Sequence, residues 1–273
     1  MAEVKVFDRE MNEVVIPGVT WIEFEPISPE TEMTTERYGG REIVVSVETK
    51  PRYVKCKFML NTSSVIYYKM MRDDMFHLLS PEDFFYVIDM GFAGKRWGGY
   101  FQGGYDLERV RGDVAIISTT LYSPLPYSES RATTLNDFTY LEEVWSYGMG
   151  LVYDEGTQQY IHSTNSFQIY NAGQKTVDPR VFELVIKLKS NGATATSLEL
   201  KNNTTDDVWQ YNGPLNNGDE IVLDGIKMLK NAANIVGDTN FGLITLKPGI
   251  NQFTLSGITG AFEISFEFRY LYA

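Results

Sequence analysis

His77 and His162 are the whole histidine complement of this chain, which leaves little for acid–base catalysis or a multi-histidine metal centre. His77 stands between Phe76 and Leu78, and His162 follows Tyr160-Ile161 in a β-rich stretch, so structural roles are expected of both. No serine has the G-x-S-x-G context of a nucleophile elbow. The adjacent carboxylates Glu142–Glu143 and Asp206–Asp207 could in principle supply a glycosidase acid and base. Neighbours on a strand point to opposite faces, however, so neither pair flanks one bond unless a loop redirects it. Gly91-Phe92-Ala93-Gly94-Lys95-Arg96 looks superficially like a phosphate loop but lacks the G-x-x-x-x-G-K-[ST] spacing and hydroxyl that aim backbone amides at a phosphate.

The remaining motifs read as structure. Arg111-Gly112-Asp113 is expected to be a turn into the Val114 strand, and the Asn-x-Ser/Thr matches at Asn61, Asn202 and Asn203 to be polar turns. Cys56, the only cysteine, lies between Lys55 and Lys57. It can form no intrachain disulfide and has no soft partners for zinc, so a buried strand cysteine is expected. The sequence thus nominates no catalytic, cofactor-binding or metal residue. Two groups have the side chains that recognition uses. Lys95, Arg96 and Trp97 join cations to an aromatic anchor in a Gly-rich reach, types favoured at subunit contacts, although a loop Trp also packs readily on its own domain. Trp209 and Tyr211, close to Asp206, Asp207 and Asn212, offer rings on which a sugar could stack, or else core residues between sheets.

The elements that must carry these residues are mostly strands. Ile43 to Val47 is β-branched; Pro51 interrupts; then Val54, Cys56, Phe58 and Leu60 alternate with Lys55, Lys57 and Met59, a pattern of two strands around a turn in a half-buried sheet. Asn61 to Ser64 supplies candidate N-caps for a helix from Val65 to Leu79, with Ile66, Met70, Phe76 and Leu79 at helical spacings. Phe84 to Ile88 reads as a buried strand, the glycines from Gly91 to Gly104 as a long turn or arm, and Val110 to Tyr122 as a return to β structure that ends at Ser123-Pro124-Leu125-Pro126. A domain boundary is expected near residue 130. Beyond it, turn signals such as Asn191-Gly192, Asn212-Gly213-Pro214 and Asp224-Gly225 separate short β runs, the signature of a sandwich. In the last run Phe262, Ile264, Phe266 and Phe268 alternate with Glu263, Ser265, Glu267 and Arg269, giving one inner and one outer face.

Two sets of segments carry a resemblance. The first is Arg72-Asp73-Asp74-Met75-Phe76-His77-Leu78-Leu79, then Asp83 to Asp89, then Gly94-Lys95-Arg96-Trp97; the second is Asp178-Pro179-Arg180, Gly242 to Asn251 and Phe262 to Tyr272. Their order and spacing resemble the distal tail proteins of siphophages that infect Gram-positive bacteria, over about residues 40 to 272. The resemblance implies a mainly β fold: an N-terminal β-rich, ring-forming domain with one helix at residues 1–130, and a C-terminal galectin-like jelly-roll sandwich at residues 131–273. It also implies a non-enzymatic structural role without cofactors. The expected partners are five further copies of the chain in a hexameric ring, tail tube protein, a tail-associated lysin or hub protein, and receptor-binding or baseplate proteins. The place implied is the virion tail tip, after synthesis in a bacterial cytoplasm, with a prophage origin open. The rival reading is a carbohydrate-binding module for host cell-surface recognition, with Trp209 and Tyr211 as its site.

Composition agrees with a folded, acidic protein. Hydrophobic residues make up 43% and aromatics 14% of the 273, enough for packed cores. A net charge of -12 disfavours a surface built to grip nucleic acid, which needs clustered cations. The first residues show no basic flank followed by an apolar stretch, and no apolar run reaches the ~18 residues of a membrane span, so a soluble product is expected.

Overall fold

The computed structural model describes residues 3–104, 107–138, 144–151 and 158–273. The chain divides into two compact units, Met1–Ser128 with Ala273, and Glu129–Tyr272. In the first, β1 (Val4–Phe7), β2 (Val19–Pro26), β3 (Thr31–Tyr38), β4 (Arg41–Thr49) and β5 (Arg52–Asn61) precede the helix α1 (Val65–Leu78). After it come β6 (Phe85–Asp89), β7 (Lys95–Phe101), β8 (Leu107–Arg111) and β9 (Val114–Ser123); the short β10 (Ser128–Ser130) straddles the boundary. The main sheet runs in the order β1-β6-β7-β9-β5-β2, with β8 also paired to β9.

The spine of that sheet is the antiparallel β5–β9 ladder, in register from Arg52 opposite Ser123 to Asn61 opposite Val114. Period-two alternation sends Val54, Cys56, Phe58 and Leu60 inward with Ala115, Ile117 and Leu121. Burying these side chains is the main stabilising term for the unit. Ser64 caps α1 by accepting a hydrogen bond from the Tyr67 amide. The helix joins the core through Tyr68, Met75 and the cap residue Leu79. The expected apolar stripe is divided: Leu79 is buried, whereas Ile66, Met70 and Phe76 are exposed. Helical spacing finds an apolar stripe but does not say which face meets the sheet.

Two expectations need correction here. The reach from residue 91 to 104 is not a free arm, because its middle, with Gly98 and Gly99, is β7, hydrogen-bonded between β6 and β9. A Cβ on Gly99 would lie 2.3 Å from the Tyr122 carbonyl oxygen, and one on Gly98 2.7 Å from the Phe84 ring. These glycines serve close packing inside a sheet rather than flexibility. In addition, β4 does not share a half-buried sheet with β5. It pairs with β3 in a separate two-stranded hairpin that turns at Gly39-Gly40, both with positive φ. Every residue of β3 is exposed, and of β4 only Ser46 and Thr49 are half-buried.

The second unit is a two-sheet β-sandwich. Its strands are β11 (Ile161–His162), β12 (Ser166–Asn171), β13 (Leu184–Ser190), β14 (Thr194–Asn202), β15 (Asp207–Tyr211), β16 (Glu220–Asp224), β17 (Lys227–Lys230), β18 (Ala233–Asn234), β19 (Gly249–Thr259) and β20 (Phe262–Phe268); β21 (Leu271–Tyr272) follows outside both sheets. One sheet has the order β11-β20-β13-β16-β17-β18 and the other β12-β19-β14-β15. Their inner faces meet through aromatic contacts, Phe266 of the first sheet lying 5.0 Å from Phe253 and 5.8 Å from Phe167 of the second, ring centre to ring centre. The alternation expected of β20 holds, with Phe262, Ile264, Phe266 and Phe268 buried. Among the described residues α1 is the one α-helix, and the fold is mainly β as expected.

A second layer of order in this unit is polar. Asn251 is fully buried; its Nδ2 donates to the carbonyls of Lys247 at 2.8 Å and Gly249 at 3.2 Å, while its Oδ1 accepts from the Lys247 amide at 3.0 Å and from Asn202 Nδ2 at 3.2 Å. Asn202 in turn donates to the Thr245 carbonyl at 2.8 Å, and Asn171 to the Leu246 carbonyl at 3.0 Å. Three buried amides thus satisfy the backbone of residues 245–249, which has few ladder partners of its own.

Candidate interaction site

The residues nominated for recognition turn inward. Trp97 is 8% exposed, and the Arg52 guanidinium lies 4.9 Å over its ring. Arg52 is itself held by a 2.8 Å bond from Nε to the Ile27 carbonyl. The buried Arg96 places its guanidinium 3.9 Å over Tyr86, and the half-buried Lys95 sits 5.0 Å over Phe92. Burial lowers the Lys95 pKa from its ordinary value. All three side chains are engaged within their own unit, in line with the packing alternative for Trp97.

Trp209 and Tyr211 are 2% and 3% exposed. They stack nearly parallel at 6.4 Å on the inner face of β15, and the Trp209 Nε1 meets the Met228 sulfur at 3.4 Å. Neither ring presents a face to a sugar. β15 pairs with β14 in its sheet and makes a single further bridge, Tyr211 to Thr239, and alternation sends these two side chains into the sandwich. Asp207 is equally committed: its Oδ2 accepts from the Thr205 hydroxyl at 2.7 Å and from the Thr245 amide and hydroxyl at 2.8 and 2.5 Å. Asp206, on a left-handed backbone at φ 62°, points to solvent 3.9 Å from Lys201. Glu142 and Glu143 lie outside the described residues.

The other chemical candidates are likewise placed by local packing. The His162 ring stacks at 4.7 Å on Phe167, its Nε2 lies 2.9 Å from the Gln159 carbonyl, and burial lowers its pKa. His77 is exposed in the last turn of α1. The Cys56 thiol is buried in the first core and pushed up to about 12 by desolvation, so it is protonated and unreactive at neutral pH. Arg111 and Asp113 form a two-point ion pair at 2.7 and 3.0 Å across the β8–β9 turn, as the turn reading of that tripeptide expects. Among the described residues no cluster of three or more His, Cys, Asp or Glu side chains is arranged to hold a metal, and no helix is long and apolar enough to cross a membrane.

What the first unit does present is uncovered apolar surface in two places. The β3–β4 hairpin exposes Met33, Tyr38, Ile43, Val44, Val45 and Val47. The start of α1, together with β8, exposes Val65, Ile66, Tyr67, Met70 and Val110. Single exposed apolar residues are ordinary; contiguous patches mark interaction surfaces. The sequence contained a signal for the first patch: Gly39-Gly40 is a two-residue hairpin turn between Thr31–Tyr38 and Arg41–Thr49. Polar β3 carries little hydrophobic alternation to draw attention to it.

A β-rich unit bearing a helix, followed by a β-sandwich, defines a two-unit mainly β architecture. No protein-family model matches the chain. No curated protein matches it either. Among solved structures it is similar to the SPP1 Dit protein (gp 19.1), described as a paradigm of the hub adsorption apparatus in phages infecting Gram-positive bacteria. The two share 10% identity with a TM-score of 0.68, over 98% of this chain and 99% of that one. Chains of the activated phage p2 baseplate also align, in the strontium form (9% identity, TM-score 0.44, 98% of each chain) and the calcium form (9%, 0.43, 99% of this chain and 98% of that one). Their overlap is too loose to define the fold. The chain has the fold of the SPP1 hub protein across both of its units.

Proposed function

We propose that this chain is a non-enzymatic structural protein of a siphophage tail tip, which forms a hexameric ring and joins the tail tube to a tail-associated lysin or hub protein and to receptor-binding components. The observation that carries this reading is the end-to-end match with the SPP1 hub protein, which takes in the helix-bearing first unit as well as the β-sandwich. A common sandwich alone would carry much less, since such folds host unrelated functions. The inward-facing Trp209 and Tyr211 remove the stacking surface on which the sugar-binding alternative rested. The uncovered apolar surface of the first unit is what an assembling subunit needs.

Light scattering on the purified chain over a concentration series, with negative-stain microscopy of the same fractions, tests the reading. The expected particle is a closed ring of six chains of 31.1 kDa each. A monomer at every concentration, both alone and with tail tube protein added, would overturn it.

A further inference from the structure

The hairpin has two unlike faces. Register sets Met33 opposite Val47 and Thr35 opposite Val44, with the strand irregularity falling at Val45. Alternation therefore collects Met33, Val44 and Val47 on one face, which carries charge only at its turn end in Arg37 and Glu42, while Glu32, Glu36 and Glu48 share the other with Tyr38 and Ile43. Met33 is 59% and Val47 55% exposed, so among the described residues nothing covers the apolar face. A lone two-stranded hairpin is marginal in water, and an uncovered apolar strand pair invites association.

The second patch is continuous across two elements. Gly112, in the β8–β9 turn, lies against Val65: a Cβ built on it would be 3.1 Å from the Val65 Cγ2. The Arg109 guanidinium of β8 sits 4.9 Å over the Tyr68 ring of the helix. On this joined surface Ile66 and Met70, one turn apart, are 74% and 56% exposed. The two patches belong to one unit, yet neither shields the other.

We infer that the apolar face of the β3–β4 hairpin of one copy packs on the α1–β8 surface of the next copy, head to tail. This contact supplies a docking surface for the ring proposed above and rests on that reading for its closure. A β face covered by a helix is a standard way of burying both. Covering the two patches together removes on the order of 1,000 Å² of apolar surface, close to the roughly 1,200 Å² at which specific interfaces begin. Two hairpins stacked on each other would cover Val44 and Val47 but leave the helix surface bare in every copy. The head-to-tail contact covers both in every copy, and repetition of a heterologous contact closes into a ring when the rotation permits. The glutamate face of the hairpin stays in solvent.

Cysteine cross-linking of the full chain tests the contact directly, because the native Cys56 is buried and stays silent toward maleimides. Variants V47C and I66C are prepared separately, mixed, and treated with a short bismaleimide. A two-chain product in the mixture, absent from either variant alone, is the expected result. A product from V47C alone shows hairpin-on-hairpin association and overturns the proposal, as does no product in a mixture that scattering shows to be assembled. In parallel, V44E/V47E and I66E/M70E are each expected to lower the assembled fraction by about tenfold or more with unchanged circular dichroism, whereas E32Q/E48Q leaves it unaltered. Cross-linked but open chains would retain the hairpin contact while sinking the hexameric ring. Closed rings indifferent to V44E/V47E would sink the contact and retain the ring.

Discussion

The two units manage their difficult groups in opposite ways. The sandwich turns the aromatics of its facing strands inward and gives its buried amides partners: Trp209, Tyr211, Phe253 and Phe266 pack between the sheets, and Asn171, Asn202 and Asn251 bond the backbone of residues 245–249. The first unit has an equally dry core around Phe58, Leu60 and Leu121 but leaves Met33, Val44, Val47, Ile66 and Met70 in water. The second unit exposes apolar side chains too, Val181, Ile226 and Phe241 among them, but the two patches on α1–β8 and the hairpin belong to the first. The contrast suggests that self-association belongs to the first unit and that the second can stand alone.

Breaking the internal completeness of the sandwich should give the largest effect. The variant N251L deletes a fully buried amide that makes several bonds and leaves the Lys247 amide and the Lys247 and Gly249 carbonyls without it. A loss of about 3 kcal/mol is expected in the second unit, read as a lower denaturant midpoint for that unit while the transition of the first stays in place.

A smaller effect, tied to pH, is expected at Asp219. Its Oδ2 lies 2.9 Å from the Lys230 ammonium, and that contact, with bonds from the Asn216 amide and Asn231, lowers its pKa from 3.8 to about 2. Because the folded value lies below the unfolded one, the stabilisation is complete above the unfolded value and is lost as pH falls from about 4 toward 2. The variant D219N should lose on the order of 1 kcal/mol at pH 7, allowing for solvent screening, and show a flatter stability profile between those limits. A profile parallel to the wild type would remove Asp219 from the acid response.

The smallest effect is expected at the hairpin. V44T/V47T keeps β-branched side chains at exposed positions, so thermal stability of the isolated chain should change by no more than about 0.5 kcal/mol. A clearly larger loss would mean that these valines already serve their own unit, and the contrast between the units would weaken.

Much of the architecture was legible as local pattern. The alternation in Val54–Leu60 and Phe262–Phe268, a helix cap within Asn61 to Ser64 and the turn at Arg111-Gly112-Asp113 depend on neighbours in the chain, and each appears in the structure, the cap at Ser64. The Gly-rich reach was misread because glycine signals both freedom and close approach. Only the Tyr122 carbonyl beside Gly99 distinguishes the two. The recognition candidates were left with two readings for a related reason: Trp97, Trp209 and Tyr211 have side chains suited equally to a core and to an interface, and only the structure shows these rings buried.

The sequence by itself determined that the chain is mainly β with a helix near Val65, acidic, and poor in catalytic histidine, since periodicity, capping and charge are properties of short segments. Tertiary structure alone decided that the β3–β4 hairpin stays out of the main sheet, and that Ile66 and Met70 face away from the core while Tyr68 and Met75 enter it. Those choices depend on which distant strands compete for an edge and on which helix face meets the sheet. They are settled by long-range packing, and they leave the apolar surfaces uncovered.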